Sequence, residues 1–198
     1  FRLTVIFSDQ VQPIIVNGRL FAGAMNGTFY ALDALMGATQ WTYNTGGPIL
    51  ATAAYANGVV VVGSMDGTLY GLDAVNGSLR WAYVTGAGIS AAPKIHNDTV
   101  YAGSRDGYFY ALDVNTGVLR WRYETRSPEN PAMSRAPIVA PSAISTDGST
   151  VLFGAENMHF YGLSTADGQE RWEPRHLIGQ SFQFGWPLVV GNRVIVRT

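Results

Sequence analysis

The sequence predicts an all-β chain, an arc of β-propeller made of four-stranded antiparallel blades. Three observations carry this. "GAMNGTFYALDALMGATQW", Gly23 to Trp41, returns as "GSMDGTLYGLDAVNGSLRW", Gly63 to Trp81, and as "GSRDGYFYALDVNTGVLRW", Gly103 to Trp121. Trp41, Trp81 and Trp121 stand 40 residues apart, and a looser copy, "GAENMHFYGLSTADGQERW", ends on Trp172 after a step of 51. Between its 23 glycines the chain runs in short apolar stretches rich in tyrosine and phenylalanine, as turn-linked strands do. A fixed period near 40 with several short strands per period marks a propeller blade.

The second copy shows the elements in order. Leu50 to Tyr55 reads as the first strand, turned at Ala56 to Gly58. Val59 to Ser64 is a continuous β-branched run, as expected of a strand covered on both faces. Met65-Asp66-Gly67 is a tight hairpin with glycine where positive φ is needed. Thr68 to Asp73 is the third strand, and its side chains alternate faces. After a turn at Val75-Asn76-Gly77, Leu79 to Thr85 is the fourth. The residue ten before each tryptophan is small (Ala31, Gly71, Ala111, Gly162), so each indole is expected to cover closely approached backbone.

The expected blades are 10–45, 50–85, 90–126 and 137–175. Residues 1–8, with Phe1 to Phe7, read as the outer strand of a preceding blade. Residues 182–198 read as the inner strands of a following one, Phe182 to Val189 and Arg193 to Arg197. Four whole blades and two partial ones make one incomplete domain, which does not close a ring by itself.

Composition excludes several function classes. Thirteen Lys plus Arg against fourteen Asp plus Glu leave a net charge of −1, which gives no reason to expect nucleic acid as partner. No cysteine is present, so a disulfide framework and Cys-ligated zinc are both impossible. No run reaches the roughly 18 apolar residues of a membrane helix. No targeting signal is visible in a chain that opens on Phe1. His96, His159 and His176 fit no metal-binding spacing, and no serine has a nucleophile-elbow context. Asn26, Asn76 and Asn97 open glycosylation sequons, but Asn-Gly is also good hairpin chemistry.

"ALDALMGATQW", "GLDAVNGSLRW" and "ALDVNTGVLRW" resemble the tryptophan-docking motif of pyrroloquinoline-quinone-type (PQQ-like) propeller repeats. That motif has Ala or Gly first, Asp third, Gly seventh and Trp eleventh. The resemblance implies a ring of seven or eight blades and an extracytoplasmic location. It also implies that Trp41, Trp81, Trp121 and Trp172 dock on neighbouring motifs, against glycines such as Gly37, Gly77 and Gly117. Asp33, Asp73 and Asp113 would brace their own turns, which is also what a short carboxylate before a turn does on physical grounds.

Candidate site residues gather on the face that carries the hairpins and the blade-to-blade crossovers. The 11 extra residues of the long step lie mostly in one crossover, Arg122 to Pro137, and loops longer than their siblings are often functional. Arg122, Arg126 and Arg135 form a basic group there, suited to a carboxylate-bearing ligand. Glu156 and Asn157 are weak candidate calcium ligands, being hard oxygen donors. Phe182, Phe184 and Trp186 alternate on the next inner strand and could floor a flat ligand or fill the channel.

Two functions follow from the resemblance. One is a non-enzymatic scaffold that holds a protein or small ligand on the face bearing the 122–137 loop, with no catalytic residue, metal or cofactor. The other is part of a PQQ- and calcium-dependent quinoprotein dehydrogenase acting on alcohols or sugars. Alcohol dehydrogenases of that family often carry adjacent cysteines over the cofactor, and this chain has none. The first reading is preferred.

Overall fold

The run Val59–Gly63 is buried at every position because the strand lies between two hydrophobic layers. In the computed structural model, which describes residues 11–126, 135–177, 187–191 and 193–196, the sheets stand side by side as blades. Val60 and Val62 pack with Phe21, Phe29 and Ile49 of the preceding repeat. Val59 and Val61 pack with Val100, Ala102 and Leu112 of the next. The core therefore lies between blades, and each continuous apolar strand supplies two interfaces at once.

Each of the first three blades is a four-stranded antiparallel sheet in chain order. Blade 1 comprises β1 (Ile14–Val16), β2 (Arg19–Gly23), β3 (Thr28–Asp33) and β4 (Thr39–Asn44). Blade 2 comprises β5 (Ala54–Ala56), β6 (Val59–Gly63), β7 (Thr68–Asp73) and β8 (Leu79–Val84). Blade 3 comprises β9 (Lys94–His96), β10 (Thr99–Gly103), β11 (Tyr108–Asp113) and β12 (Leu119–Glu124). Blade 4 comprises β13 (Ala143–Ile144), β14 (Thr150–Gly154), β15 (His159–Ser164) and β16 (Arg175–His176). A two-stranded antiparallel sheet follows, β17 (Pro187–Val190) and β18 (Arg193–Val196). No helix occurs among the described residues.

Two elements differ from the sequence reading. The first strand of blade 2 pairs only over Ala54–Ala56, not from Leu50. Residues 50–53 belong instead to the crossover, which the Ile49 N–H ties back to Ala24 O of blade 1 at 3.1 Å. In blade 4 the outermost strand shrinks to two residues, and Phe160 pairs with Arg175 where Phe109 pairs with Tyr123. Relative to blade 3 this inserts one residue after Trp172, a bulge beside Pro174, which has no N–H to donate to a ladder. The expected outer strand at 1–8 and the aromatics Phe182, Phe184 and Trp186 lie outside the described residues.

The innermost segments border a concave cavity of about 890 Å³ whose lining includes Ile14, Ala53, Ser90, Lys94, Ser142 and Leu188. No carboxylate lines it among the described residues.

Candidate functional site

The repeats place the same atoms at the same points, so the site begins with the blade joints. Trp81 lies opposite Gly71 in its own sheet, and its indole N–H donates to Val114 O of blade 3 at 2.8 Å. A Cβ on Gly117 would stand 2.7 Å from that indole, so only glycine leaves room there. Trp41 meets Gly77 and Ala74 O in the same way, and Trp121 meets Gly168 and Thr165 O. Trp172 covers Gly162 and packs with Leu152, Phe160, Leu177 and Val189. Gly37 has the same positive φ as its siblings, and among the described residues no atom lies within 4 Å of where its Cβ would stand.

The motif aspartates sit at the turns that follow. Asp73 Oδ1 accepts the N–H groups of Val75 and Asn76, at 2.9 and 3.1 Å. Asp33 and Asp113 accept the two corresponding N–H groups of their own turns. In blades 1 to 3 the fourth strand carries a bulge beside its tryptophan, and the bulged Arg80 and Arg120 pair with Asp73 and Asp113 at 2.6 and 2.7 Å. The Arg80 guanidinium, against slight burial and with the turn N–H groups, holds the Asp73 carboxyl below the usual range, and Arg120 does the same for Asp113. A carboxyl whose folded pKa is lowered adds stability above its unfolded value of about 3.9 and loses it as pH falls through the folded value. Asp73→Ala should therefore cost about 1 kcal/mol near neutral pH, for two exposed turn hydrogen bonds, and less at an acid pH where the lowered folded value has been crossed. Denaturant titration at both pH values checks this, and an equal loss at both would mean that the ionised carboxylate is not what braces the turn.

A second joint was not recognised from the sequence. The hydroxyl of Thr85 sits between Gly67 O and Ala87 O at 2.7 and 2.8 Å, and Ser104 Oγ donates to Ala87 O. Gly86 N–H and Tyr110 O–H both donate to Asp106 Oδ2 at 2.7 Å, clasping the crossover to the next hairpin. Thr45, Ser64, Asp66, Gly46 and Tyr70 repeat the clasp one blade earlier. Burial pulls the Asp66 carboxyl up, but the Tyr70 hydroxyl and the Thr68 and Gly46 N–H groups outweigh it and leave it low. Burial, then the bond to Asp106, pushes the Tyr110 phenol up.

At the third joint the chemistry changes. Asn157 replaces the aspartate: its Oδ1 accepts His159 N–H, and its Nδ2 donates to the Tyr161 hydroxyl at 2.7 Å. Tyr161, which burial pushes up to about 12, donates to Arg126 O. Asn157 is thus engaged in its turn, and Glu156 donates its backbone N–H to Pro137 O. Met158 takes positive φ (62°) where the siblings have glycine. Asn26 and Asn76 are likewise engaged, each accepting the N–H two residues on.

The structure brings Arg122, Arg126 and Arg135 together and adds two residues that sequence reasoning missed. Arg126 pairs with Glu124 at 2.9 Å, and Arg135 Nε lies 3.7 Å from the same carboxylate. Arg122 and Arg135 each place Cζ 4.8 Å from the centre of the Tyr108 ring, within cation–π range. The missing signal was the cross-strand register that sets Tyr108 opposite Glu124. Among the described residues no three His, Cys, Asp or Glu side chains group as metal ligands. Among the described residues, Glu156 and the turn-bound Asn157 do not by themselves supply the six to eight oxygens that calcium takes.

Side-by-side blades with a tryptophan spanning each joint define the class: a PQQ-like β-propeller repeat protein. The family described as outer membrane protein assembly factor BamB matches residues 25–198, and the chain belongs to it. Among solved structures, BamB from Moraxella catarrhalis is similar at 25% identity and a TM-score of 0.76, over 99% of this chain and 60% of that one. Quinohemoprotein alcohol dehydrogenase ADHIIG from Pseudomonas putida HK5 is similar in fold at 20% identity and a TM-score of 0.76, over 87% of this chain and 34% of that one. The computationally designed Ika8 protein is similar in fold at 21% identity and a TM-score of 0.73, over 93% of this chain and 54% of that one. The chain thus spans less than two thirds of the length of each. No curated protein is similar in sequence.

Proposed function

We propose that the chain is part of a non-enzymatic, extracytoplasmic propeller scaffold that holds a protein partner or small ligand on the face bearing residues 122–137. One observation supports this above the others. On that face, Asn157 is tied into a hairpin and the arginines gather in a surface cluster, an arrangement of polar groups suited to recognising a partner. The tryptophans and motif glycines act in this reading as docking joints that keep the surface rigid. The family match is in keeping with an assembly role, and no helix among the described residues is long and apolar enough to cross a membrane.

The dehydrogenase reading is favoured by one feature, a group of arginines able to meet the carboxylates of a quinone cofactor. Titration with pyrroloquinoline quinone and calcium, followed by tryptophan fluorescence, separates the two. The scaffold reading expects no saturable change. Saturable, calcium-dependent quenching that disappears in Glu156→Ala would overturn it.

A further inference from the structure

Blade 3 is chemically loaded where its siblings are bland. Tyr108, Arg122 and Glu124 occupy the positions of Thr28, Thr42 and Asn44 in blade 1, and of Thr68, Ala82 and Val84 in blade 2. The crossover after blade 3 carries Arg126 where the others carry Gly46 and Gly86. The repeats act as an internal control, because the fold does not need these side chains to build a blade.

Their arrangement suits anion capture. Arg126 and Arg135 share the Glu124 carboxylate, and Arg122 joins Arg135 on the Tyr108 ring, so positive charge predominates at the cluster among the described residues. The Tyr108 ring holds Arg122 and Arg135 at cation–π distance, a contact that leaves their N–H donors for other partners. The Arg126 and Arg135 side chains remain 58% and 46% exposed. Backbone bonding also steadies the cluster, since Tyr161 holds Arg126 O. Glu124 stands between Arg126 and Arg135, so a compact multivalent anion would meet repulsion at the centre, whereas separate single charges would not. Arg122 lies on β12, the outermost strand of its sheet, along which an extended segment could add main-chain hydrogen bonds.

We propose that the cluster of Arg122, Arg126 and Arg135 around Tyr108 and Glu124 captures an extended acidic segment of a partner protein, with spaced carboxylates on separate guanidiniums. This rests on the scaffold reading and specifies its partner's chemistry.

The test uses the 198-residue chain and a fluorescein-labelled peptide of alternating glutamate and serine, followed by anisotropy in low salt. Saturable binding is expected, weakening as NaCl is raised. Arg122→Ala and Arg135→Ala should each weaken it roughly tenfold or more, as loss of one partner of a charge pair at an interface does. Arg122→Lys should recover little, because an ammonium keeps the charge without the planar fork. Unchanged thermal unfolding in these surface variants shows that folding is intact. Equal binding by wild type and both alanine variants would overturn the proposal, as would equal binding of a glutamine-for-glutamate peptide. So would competition by inorganic phosphate at the peptide's own concentration, which would assign a compact anion instead. Failure of the peptide to bind sinks this inference alone, whereas calcium-dependent quinone binding sinks the scaffold reading.

Discussion

Trp81→Ala should destabilise the chain by about 3–5 kcal/mol, the range for truncating a large aromatic in a core that cannot collapse into the space. The site meets that condition. Trp81 is 7% exposed and is held between Gly71 of its own sheet and Gly117 of the next, two positions with no side chain to move inward. Its N–H bond to Val114 O would also be lost, leaving that carbonyl short of a partner in a joint between blades. Guanidinium titration followed by circular dichroism reads the loss. A change below about 1 kcal/mol would mean that the indole does not hold blades 2 and 3 together. Because the core lies between blades and not within them, the expected damage is loss of the joint as a unit, as in other repeat proteins whose stability is a sum of neighbour interfaces.

The blades were legible because their signals are local and repeated. Val59 to Gly63, the hairpin at Met65-Asp66-Gly67 and the strand Thr68 to Asp73 each announce themselves within a few residues, and three copies at one spacing remove accidents. What was missed depends on pairing across distance. The Thr85–Ser104–Asp106–Tyr110 clasp joins a crossover to a hairpin some 20 residues on, and its members read singly as loop polars. Yet Thr45, Thr85 and Thr125 recur with the repeat, a periodic signal that the apolar pattern overshadowed. The early start assigned to the strand at Leu50 failed for another reason. Ile49, Ala51 and Ala53 alternate as in a strand and are buried, Ile49 and Ala53 in the core shared with blade 1, but none has a ladder partner. Alternation reports burial on one side and not hydrogen bonding.

The candidate site divides along the same line. Arg122, Arg126 and Arg135 could be grouped from one stretch of chain. Tyr108 and Glu124, which organise them, could not, because their proximity is set by the register of β11 on β12. Asn157 looked like a free oxygen donor when read beside Glu156 alone. Aligned with Asp66 and Asp106 it is the clasp residue of its blade, with an amide in place of a carboxylate.

Gly117→Ala should cost about 3 kcal/mol, against about 1 kcal/mol for Gly37→Ala. The two glycines hold the same seventh position of the motif and nearly the same backbone, φ 70° and 67°. An alanine at either would bear the left-handed strain, on the order of 1 kcal/mol. They differ in what lies above them among the described residues: a Cβ at 117 would stand 2.7 Å from Trp81 Cδ2, whereas at 37 no described atom lies within 4 Å. Overpacking of that kind adds roughly 1–3 kcal/mol where neighbours cannot yield, and Trp81 is held by its bond to Val114 O. The pair therefore isolates the contact from the conformation. Denaturant midpoints of the two variants, measured beside Trp81→Ala, settle the cause. If Gly117→Ala costs no more than Gly37→Ala, the seventh-position glycine is kept for its backbone and the docking contact contributes nothing. If Gly117→Ala in the Trp81→Ala background falls back to the Gly37→Ala value, the whole excess belongs to the indole.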